Sequence, residues 1–506
     1  MSLTHVDDTT TTNVESPKYD CDVIVVGAGP AGAAAAYYMA KDGLKVIVLE
    51  QAIFPRDKVC GDFVSPGSLG ELTKMGIATL EAFQETHTVD YATIYLSGKP
   101  LVAGTFPLVE DMPRYSRVIP RRVLDSLILQ AARKAGATVL EGTRLVNFVV
   151  QKDWVTVVAA QKEETKTFRT RLIVGADGNN SLVARILTKA SWSKTERALV
   201  ARAYFEGVTG NSSEANVFYG NGSFPGYSWL FPISKNEANV GVGLVGGASP
   251  EAENPKNLLT KLIQNDAGMY SRLKDAKLKG EIEVAALNLH DAQMPIVGDR
   301  VMLIGEAAGL VNPYNGEGIQ FGLKSAKWAS ETATASMKSK NFAESGLATY
   351  SKRVEDELGY GFKISALMLG LLRNRNLNHA WLRWIELMGE KSKSDPEYAR
   401  LTSGILSGMI FPNQEETARA LTGTLEEAAL SVGLTTFSQV VNDPSKLPQS
   451  AENMLQTGVV AARYAAQDPF AALKWGMEAA TRMTEIATVV SKQVLKEYKN
   501  KTGSQQ

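Results

Sequence analysis

Cysteine and histidine are scarce in this chain. Its 506 residues include two cysteines, Cys21 and Cys60, and four histidines. Two thiols cannot build a disulfide framework or a structural zinc site, which fits a reducing, cytoplasmic setting. His5, His87, His290 and His379 are scattered without metal-ligand spacing, so no metal is expected. Net charge is also absent, because 54 Lys plus Arg balance 54 Asp plus Glu. No basic field exists to attract nucleic acid. Long apolar runs are missing: nothing reaches the roughly 18 to 20 apolar residues that span a bilayer. The nearest, Ile364 to Leu372, is followed by Arg373 and Arg375. It reads as a buried helix, with a helix dipping into a membrane surface as the alternative. Residues 1–18 are polar and threonine-rich, lack the apolar core of a secretory signal, and read as a disordered tail.

What is present begins at Asp22-Val23-Ile24-Val25-Val26-Gly27-Ala28-Gly29-Pro30-Ala31-Gly32. The apolar, β-branched run suits a fully buried parallel strand. Gly27, Gly29 and Gly32 then make a tight turn with no side chain in the way. Ala31 to Lys41 is alanine-rich and reads as the following helix, whose free N–H groups and dipole favour a pyrophosphate. Leu44 to Leu49 reads as the second strand and ends at Glu50. An acid there accepts hydrogen bonds from a ribose diol and repels a 2′-phosphate. The first site is therefore expected to hold FAD or NAD rather than NADP.

Further along, Arg121 to Ala135 has apolar residues at helical spacing, with Gly136 as its stop. Val139 to Gln151 and Trp154 to Ala160 alternate like hairpin strands, and Leu172-Ile173-Val174 reads as another buried strand. Residues 192–290 change character to short alternating segments with aromatics, which reads as an inserted antiparallel sheet. Val301 to Ile304 returns to the buried-strand pattern, with a helix from about Glu317 to Lys338. Beyond Phe342 the pattern is almost wholly helical. Gly241 to Gly246 also matches G-x-G-x-x-G, but no helix follows, so it is read as small residues on a sheet facing a pocket.

Three further patterns resemble those of the flavoprotein group that contains aromatic hydroxylases, halogenases and geranylgeranyl reductases. Arg121, four residues before Asp125, resembles the arginine that meets the FAD phosphates and ribityl chain. Gly175-Ala176-Asp177-Gly178 with Ser181 and Arg185 resembles the second fingerprint, in which the acid orients backbone near the pyrophosphate. Gly305-Glu306-Ala307-Ala308-Gly309, with Pro313, Gly316, Gly318 and Ile319, resembles the third, in which the acid bonds the ribityl hydroxyls. The group usually has aspartate where Glu306 stands, one methylene shorter. Within the group, Lys58-Val59-Cys60-Gly61-Asp62 and Tyr227-Ser228-Trp229-Leu230-Phe231-Pro232, continuing to Asn239-Val240-Gly241-Val242-Gly243, are most similar to the geranylgeranyl reductase family. Asn312 to Ile319 fits as well, and the resemblance covers about residues 20–412.

The resemblance implies an α/β fold. A Rossmann-like FAD-binding domain (19–191, closed by 291–341) carries an inserted antiparallel-sheet substrate domain (192–290). A helical C-terminal region (342–412) and a helical extension (413–506) follow. It implies FAD, with Ala31, Arg56, Cys60 and Gly61 added to the cofactor-facing set. NADPH or a reduced iron–sulfur protein would be the transient electron donor. The implied activity is reduction of carbon–carbon double bonds in a prenyl chain on an isoprenoid or prenyl-lipid substrate, with peripheral membrane contact. Alternate residues of a strand share a face, so Tyr227, Trp229 and Phe231 are expected to wall a pocket or to form ordinary sheet core. Cys60 and Tyr227 are the candidate catalytic proton donors. A flavin monooxygenase, a halogenase and a non-redox isoprenoid cyclase remain alternatives. The sequence sets no oligomeric state.

Overall fold

The computed structural model describes residues 19–109, 112–189, 197–220, 222–246, 254–291 and 294–406, with isolated positions beyond. Cys21–Val26 lies inside an eight-stranded sheet. Both its faces are covered, which is why its sequence is continuously apolar: Val23, Ile24 and Val25 are fully buried. Val46–Leu49 and Glu164–Gly175 flank it in parallel. Thr138–Leu140 and Val301–Leu303 extend the parallel array on either side. The hairpin of Thr143–Val150 and Val155–Gln161 adds antiparallel strands to the first half of Glu164–Gly175.

Helix Pro30–Lys41 leaves the first strand at the glycine turn and packs on helices Arg121–Lys134 and Ile319–Ser339. Ala33 to Ala36 are all fully buried, and side chains this small let the helices approach closely. Ala31 marks the tightest point. A Cβ on Gly305 would lie 2.7 Å from its methyl group, and one on Gly322 3.3 Å. Arg121–Lys134 ends before Gly136, whose φ of +108° a side chain would resist.

The second sheet has seven strands, in the order Lys277–Asn288, Arg197–Glu206, Glu237–Val245, Ser228–Pro232, Glu214–Tyr219, Tyr91–Leu96 and Lys99–Thr105. This corrects the expectation of a sheet confined to 192–290, because two strands come from 91–105. It also corrects the expectation of a purely antiparallel sheet, since Glu214–Tyr219 pairs in parallel with Tyr91–Leu96. No local pattern in 91–105 signals a partner that arrives more than a hundred residues later. One face of the sheet, with Ala201, Ala203 and Phe205, packs on Leu258, Leu259, Met269 and Leu273 of two short helices. The opposite face lines the cavity described below.

The C-terminal part of the described chain is helical: Glu344–Val354, a π-helical turn at Glu355–Gly359, then Tyr360–Leu372, Asn378–Ser394 and Pro396–Leu406. Ile364, Leu367 and Leu369 are buried, and Leu369 packs with Ala198, Val245, Leu289 and Val311. The 364–372 segment therefore caps one end of the second sheet, with Ile364, Leu367 and Leu369 turned inward. Among the described residues, no helix is long and apolar enough to cross a membrane. The tail at 1–18 lies outside the described residues, as does nearly all of the extension at 413–506.

Candidate active site

The glycine turn divides its work. Gly27 has φ +96°, and a Cβ there would lie 2.5 Å from the Ala176 carbonyl oxygen. A Cβ on Gly32 would lie 1.9 Å from the Gly27 carbonyl oxygen. These two glycines let strand, turn and helix touch. Gly29 is different: the nearest atom to a Cβ there is Nη2 of Arg56, at 3.7 Å. It leaves an open floor at the start of helix Pro30–Lys41, and as N-cap it offers no side-chain bond to the helix N–H groups. That is the geometry a pyrophosphate requires. Glu50, at the end of the second strand, is buried and accepts from Ala28 N (2.6 Å) and Ala52 N (2.8 Å). Each oxygen keeps a lone pair for a ribose hydroxyl.

The acids and arginines around this groove are held firmly. Asp125 is fully buried and takes both prongs of Arg121 (2.7 and 2.8 Å) and Nη1 of Arg56 (2.8 Å). Asp177 accepts from Ser181 Oγ (2.5 Å), Leu182 N (2.7 Å) and Val183 N (3.2 Å), so it shapes the turn at Gly178. Glu306 pairs with Lys58 Nζ at 2.8 Å and accepts from Asn288 N at 3.3 Å. The longer glutamate thus reaches a lysine of the polar loop, a contact that the sequence did not announce.

A single cavity of about 1610 Å³ runs from this groove along the second sheet. Every residue proposed from sequence as a site residue lines it except Gly32, which lies beneath the turn. The wall is the cavity face of the sheet, contributed by alternate residues of neighbouring strands: Val200, Gly243, Tyr227, Trp229, Val217 and Ile94 among them. Tyr227 meets Trp229 edge-to-face and Trp229 stacks on Phe231, with successive ring centroids 6.1 and 6.2 Å apart. Gly61 lies against them, for a Cβ there would be 3.3 Å from Phe231 and 3.4 Å from Trp229. Gly241 makes room for the indole, since a Cβ would come within 2.2 Å of Trp229. Its G-x-G-x-x-G context is a strand, not a nucleotide turn.

The polar groups in this wall are few. The Cys60 thiol is pushed up by burial, against the pull of Arg121, so it holds its proton at neutral pH. The Tyr227 hydroxyl donates to the Asn315 carbonyl oxygen at 2.6 Å, and burial raises it well above the usual phenol range. Glu317 was not singled out from sequence. It accepts a short hydrogen bond from Ser65 Oγ, while its Oε2 is closed off without a partner among the described residues. Burial, only partly offset by Ser65 and Lys324, pushes its carboxyl up to about 7.

Also unforeseen is a knot behind the Cys60 loop. Asn239 donates to Cys60 O and to Asp62 Oδ2, both at 2.8 Å, and accepts from Trp229 Nε1 at 2.9 Å. Tyr204 donates to the same Asp62 oxygen at 2.6 Å. The buried Arg202 stacks over the Tyr204 ring and pairs with Asp57 and Glu283. His290 is neutral, lowered to about 4 by burial, and packs against Phe362. Among the described residues no cluster of His, Cys, Asp and Glu is placed to hold a metal.

A phosphate groove at a helix N-terminus, opening onto an apolar chamber, defines a flavin-binding oxidoreductase. The family described as FAD binding domain matches residues 20–355. Menaquinone reductase of Mycolicibacterium smegmatis is 31% identical over 367 residues, covering 70% of this chain and 85% of that protein. Digeranylgeranylglycerophospholipid reductase 3 of Methanosphaera stadtmanae is 27% identical, covering 68% and 85%. A geranylgeranyl bacteriochlorophyll reductase-like protein of Thermoplasma acidophilum shares the fold, with a TM-score of 0.64 at 22% identity over 72% of this chain and 91% of that one. A flavin-dependent brominase shares it too, with a TM-score of 0.65 at 18% identity over 81% and 98%. The chain belongs to the FAD binding domain family of FAD-dependent oxidoreductases.

Proposed function

We propose that this enzyme reduces carbon–carbon double bonds in the prenyl chain of a lipid or quinone. The observation that carries the reading is the continuous apolar wall from Tyr227, Trp229 and Phe231 across the neighbouring strands, which begins beside Cys60 and Gly61. Such a wall suits a long apolar chain and, among the described residues, has no array of donors for a polar ring. Menaquinone and digeranylgeranylglycerophospholipid, named for two relatives, have prenyl chains in common.

The residues that would hold FAD are Gly27, Gly29, Ala31 and Glu50 at the adenosine and pyrophosphate end. Arg56, Arg121 and Asp177 lie along the groove, and Glu306, Pro313, Gly316, Gly318 and Ile319 lie at the ring end. When bound and reduced, FAD would supply a hydride to one alkene carbon, and the proton for the adjacent carbon would come from the protein. Cys60 is the group we assign to that proton. Its thiol is protonated, it lines the cavity, and Arg121 stands ready to balance the thiolate left behind. Tyr227 fixes the loop at Asn315 through its hydroxyl and turns its ring to the chain. Trp229 and Phe231 hold the chain and exclude water.

Electrons come from NADPH or a reduced iron–sulfur protein that docks transiently. Because prenyl substrates partition into bilayers, the enzyme works in peripheral contact with a membrane, through a surface other than the buried 364–372 segment. The test is anaerobic reduction of the purified flavoprotein, followed by mass spectrometry of added prenyl diphosphates, lipids and quinones. Gain of two hydrogens per double bond supports the reading. Oxygen in the product would make it a monooxygenase, and an isomer of unchanged mass would make it a cyclase.

A further inference from the structure

Asp62 lies two residues beyond the proposed proton donor, outside the cofactor groove. It is fully buried and adopts φ +60°, a left-handed conformation that aspartate and asparagine tolerate best among residues with a Cβ. That conformation turns its backbone N–H towards Cys60 Sγ, at 3.4 Å. Its carbonyl oxygen accepts from Ile119 N at 2.8 Å, which ties the loop to the strand beyond. Its carboxylate meets two neutral donors rather than a cation: Tyr204 Oη and Asn239 Nδ2 converge on Oδ2, while Oδ1 has no partner among the described residues. Tyr204 and Asn239 are directly opposite each other on neighbouring strands, so sheet register itself aims both donors at one oxygen.

We infer that Asp62 is a positioning residue whose negative charge, clamped by Asn239 and Tyr204, keeps Cys60 in its thiol form. The inference deepens the reading above, in which Cys60 gives up the proton. The groups facing Cys60 are Arg121 from the helix, Tyr227 from the wall strand and Asp62 from its own loop. Burial is the largest influence holding the thiol; Arg121 and the Asp62 backbone N–H favour the thiolate, and the Asp62 carboxylate opposes it. Arg121 is itself shared with Asp125, which blunts its pull. Arg202 and Arg121 are the cations that act on Asp62, and Arg202 is already matched by Asp57 and Glu283. Burial pushes the Asp62 carboxyl up to about 6, so it is ionised at neutral pH and its charge is present when the enzyme works. Asn239 also binds the Cys60 carbonyl and the Trp229 indole. One amide therefore fixes the donor, its electrostatic partner and the wall of the chamber together.

Asp62→Asn tests this cleanly. Asparagine keeps the left-handed φ, presents its oxygen to Tyr204 and Asn239, and puts its NH₂ where Oδ1 has no partner. Only the charge is lost. The measurement is the ultraviolet absorbance of the thiolate against pH in the FAD-loaded protein, taken as the difference from the same protein carrying Cys60→Ser. The Cys60 titration should move to lower pH by on the order of one unit. At a fixed pH below the midpoint that is about tenfold more thiolate. Asp62→Gly also tolerates the left-handed φ and removes the charge, so it should move the curve the same way, and it serves if Asp62→Asn does not fold. Coincident curves, or a move to higher pH, would overturn the inference. A shifted curve with unchanged product formation would leave Asp62 tuning Cys60 and would count against Cys60 as the proton source.

Discussion

Glu317→Gln should stabilise the flavin-free protein progressively as pH rises. The carboxyl sits at about 7 in the fold, against 4.5 as its ordinary value, because burial disfavours the charged form. The folded state therefore holds this proton more tightly than the unfolded chain does. Its contribution is fully favourable below pH 4.5 and is lost as pH climbs through 7. At 1.36 kcal/mol for each tenfold change in proton affinity, the gap between the two values amounts to about 3 kcal/mol above pH 8. Glutamine cannot ionise and escapes that loss. It can still accept from Ser65, but its NH₂ would occupy the place of the unpartnered Oε2, at a cost of about 1–3 kcal/mol that does not depend on pH. The decisive quantity is thus the change in the mutational difference between pH 5 and pH 8, which should favour the variant by about 2–3 kcal/mol. Urea titrations of both proteins at the two pH values measure it. An equal mutational difference at both would show that Glu317 is ionised at ordinary pH and that its surroundings have been misread.

Other expectations concern the cofactor groove and the wall. Glu50→Arg loses the contacts with Ala28 N and Ala52 N and places a cation at the ribose, so flavin occupancy after purification should fall sharply; full occupancy would move Glu50 away from the ribose. Gly29→Ala should fold normally yet bind FAD weakly, whereas Gly32→Ala, with its 1.9 Å collision, should lower the melting temperature by circular dichroism; the reverse ranking would contradict the groove geometry. FAD should come off the protein on acid precipitation, leaving a yellow supernatant, and flavin in the pellet would mean a covalent link. Gly241→Ala drives a methyl group into the Trp229 ring, and should alter selectivity for prenyl chain length more than flavin content; unchanged selectivity would separate Trp229 from the substrate.

The nucleotide half of the fold was legible because its signals are local. A strand, a glycine turn, an alanine-rich helix and Glu50 fall within some 30 residues, and each element appears close to its expected ends. The aromatic stripe was legible for the same reason, since strand alternation alone puts Tyr227, Trp229 and Phe231 on one face. What stayed hidden was long-range. Asn239 and Asp62 are 177 residues apart, and Lys58 and Glu306 are 248 apart. Nothing in either local pattern points to its partner. Glu317 was hidden differently: it was read only as the start of a helix, and its raised proton affinity follows from burial that only packing reveals. The 364–372 segment shows that an apolar run followed by arginines cannot by itself distinguish a bilayer from a sheet end, which here is closed by Leu369.

The parallel pairing of Tyr91–Leu96 with Glu214–Tyr219 also governs how the chain reaches its native form. Tyr91–Thr105 is made early in synthesis as a hairpin, yet its partner strand emerges only after the hairpin of Thr143–Val150 and Val155–Gln161 and most of the first sheet's parallel strands. Until then one hairpin edge is an open template for any passing strand. Contacts this distant in sequence close slowly, so the open edge persists until Glu214–Tyr219 has been made and has paired. Nascent or refolding protein is then exposed to strand exchange between copies during that interval. A fragment that stops short of residue 214 would lack the partner strand altogether, and would remain vulnerable for as long as it exists.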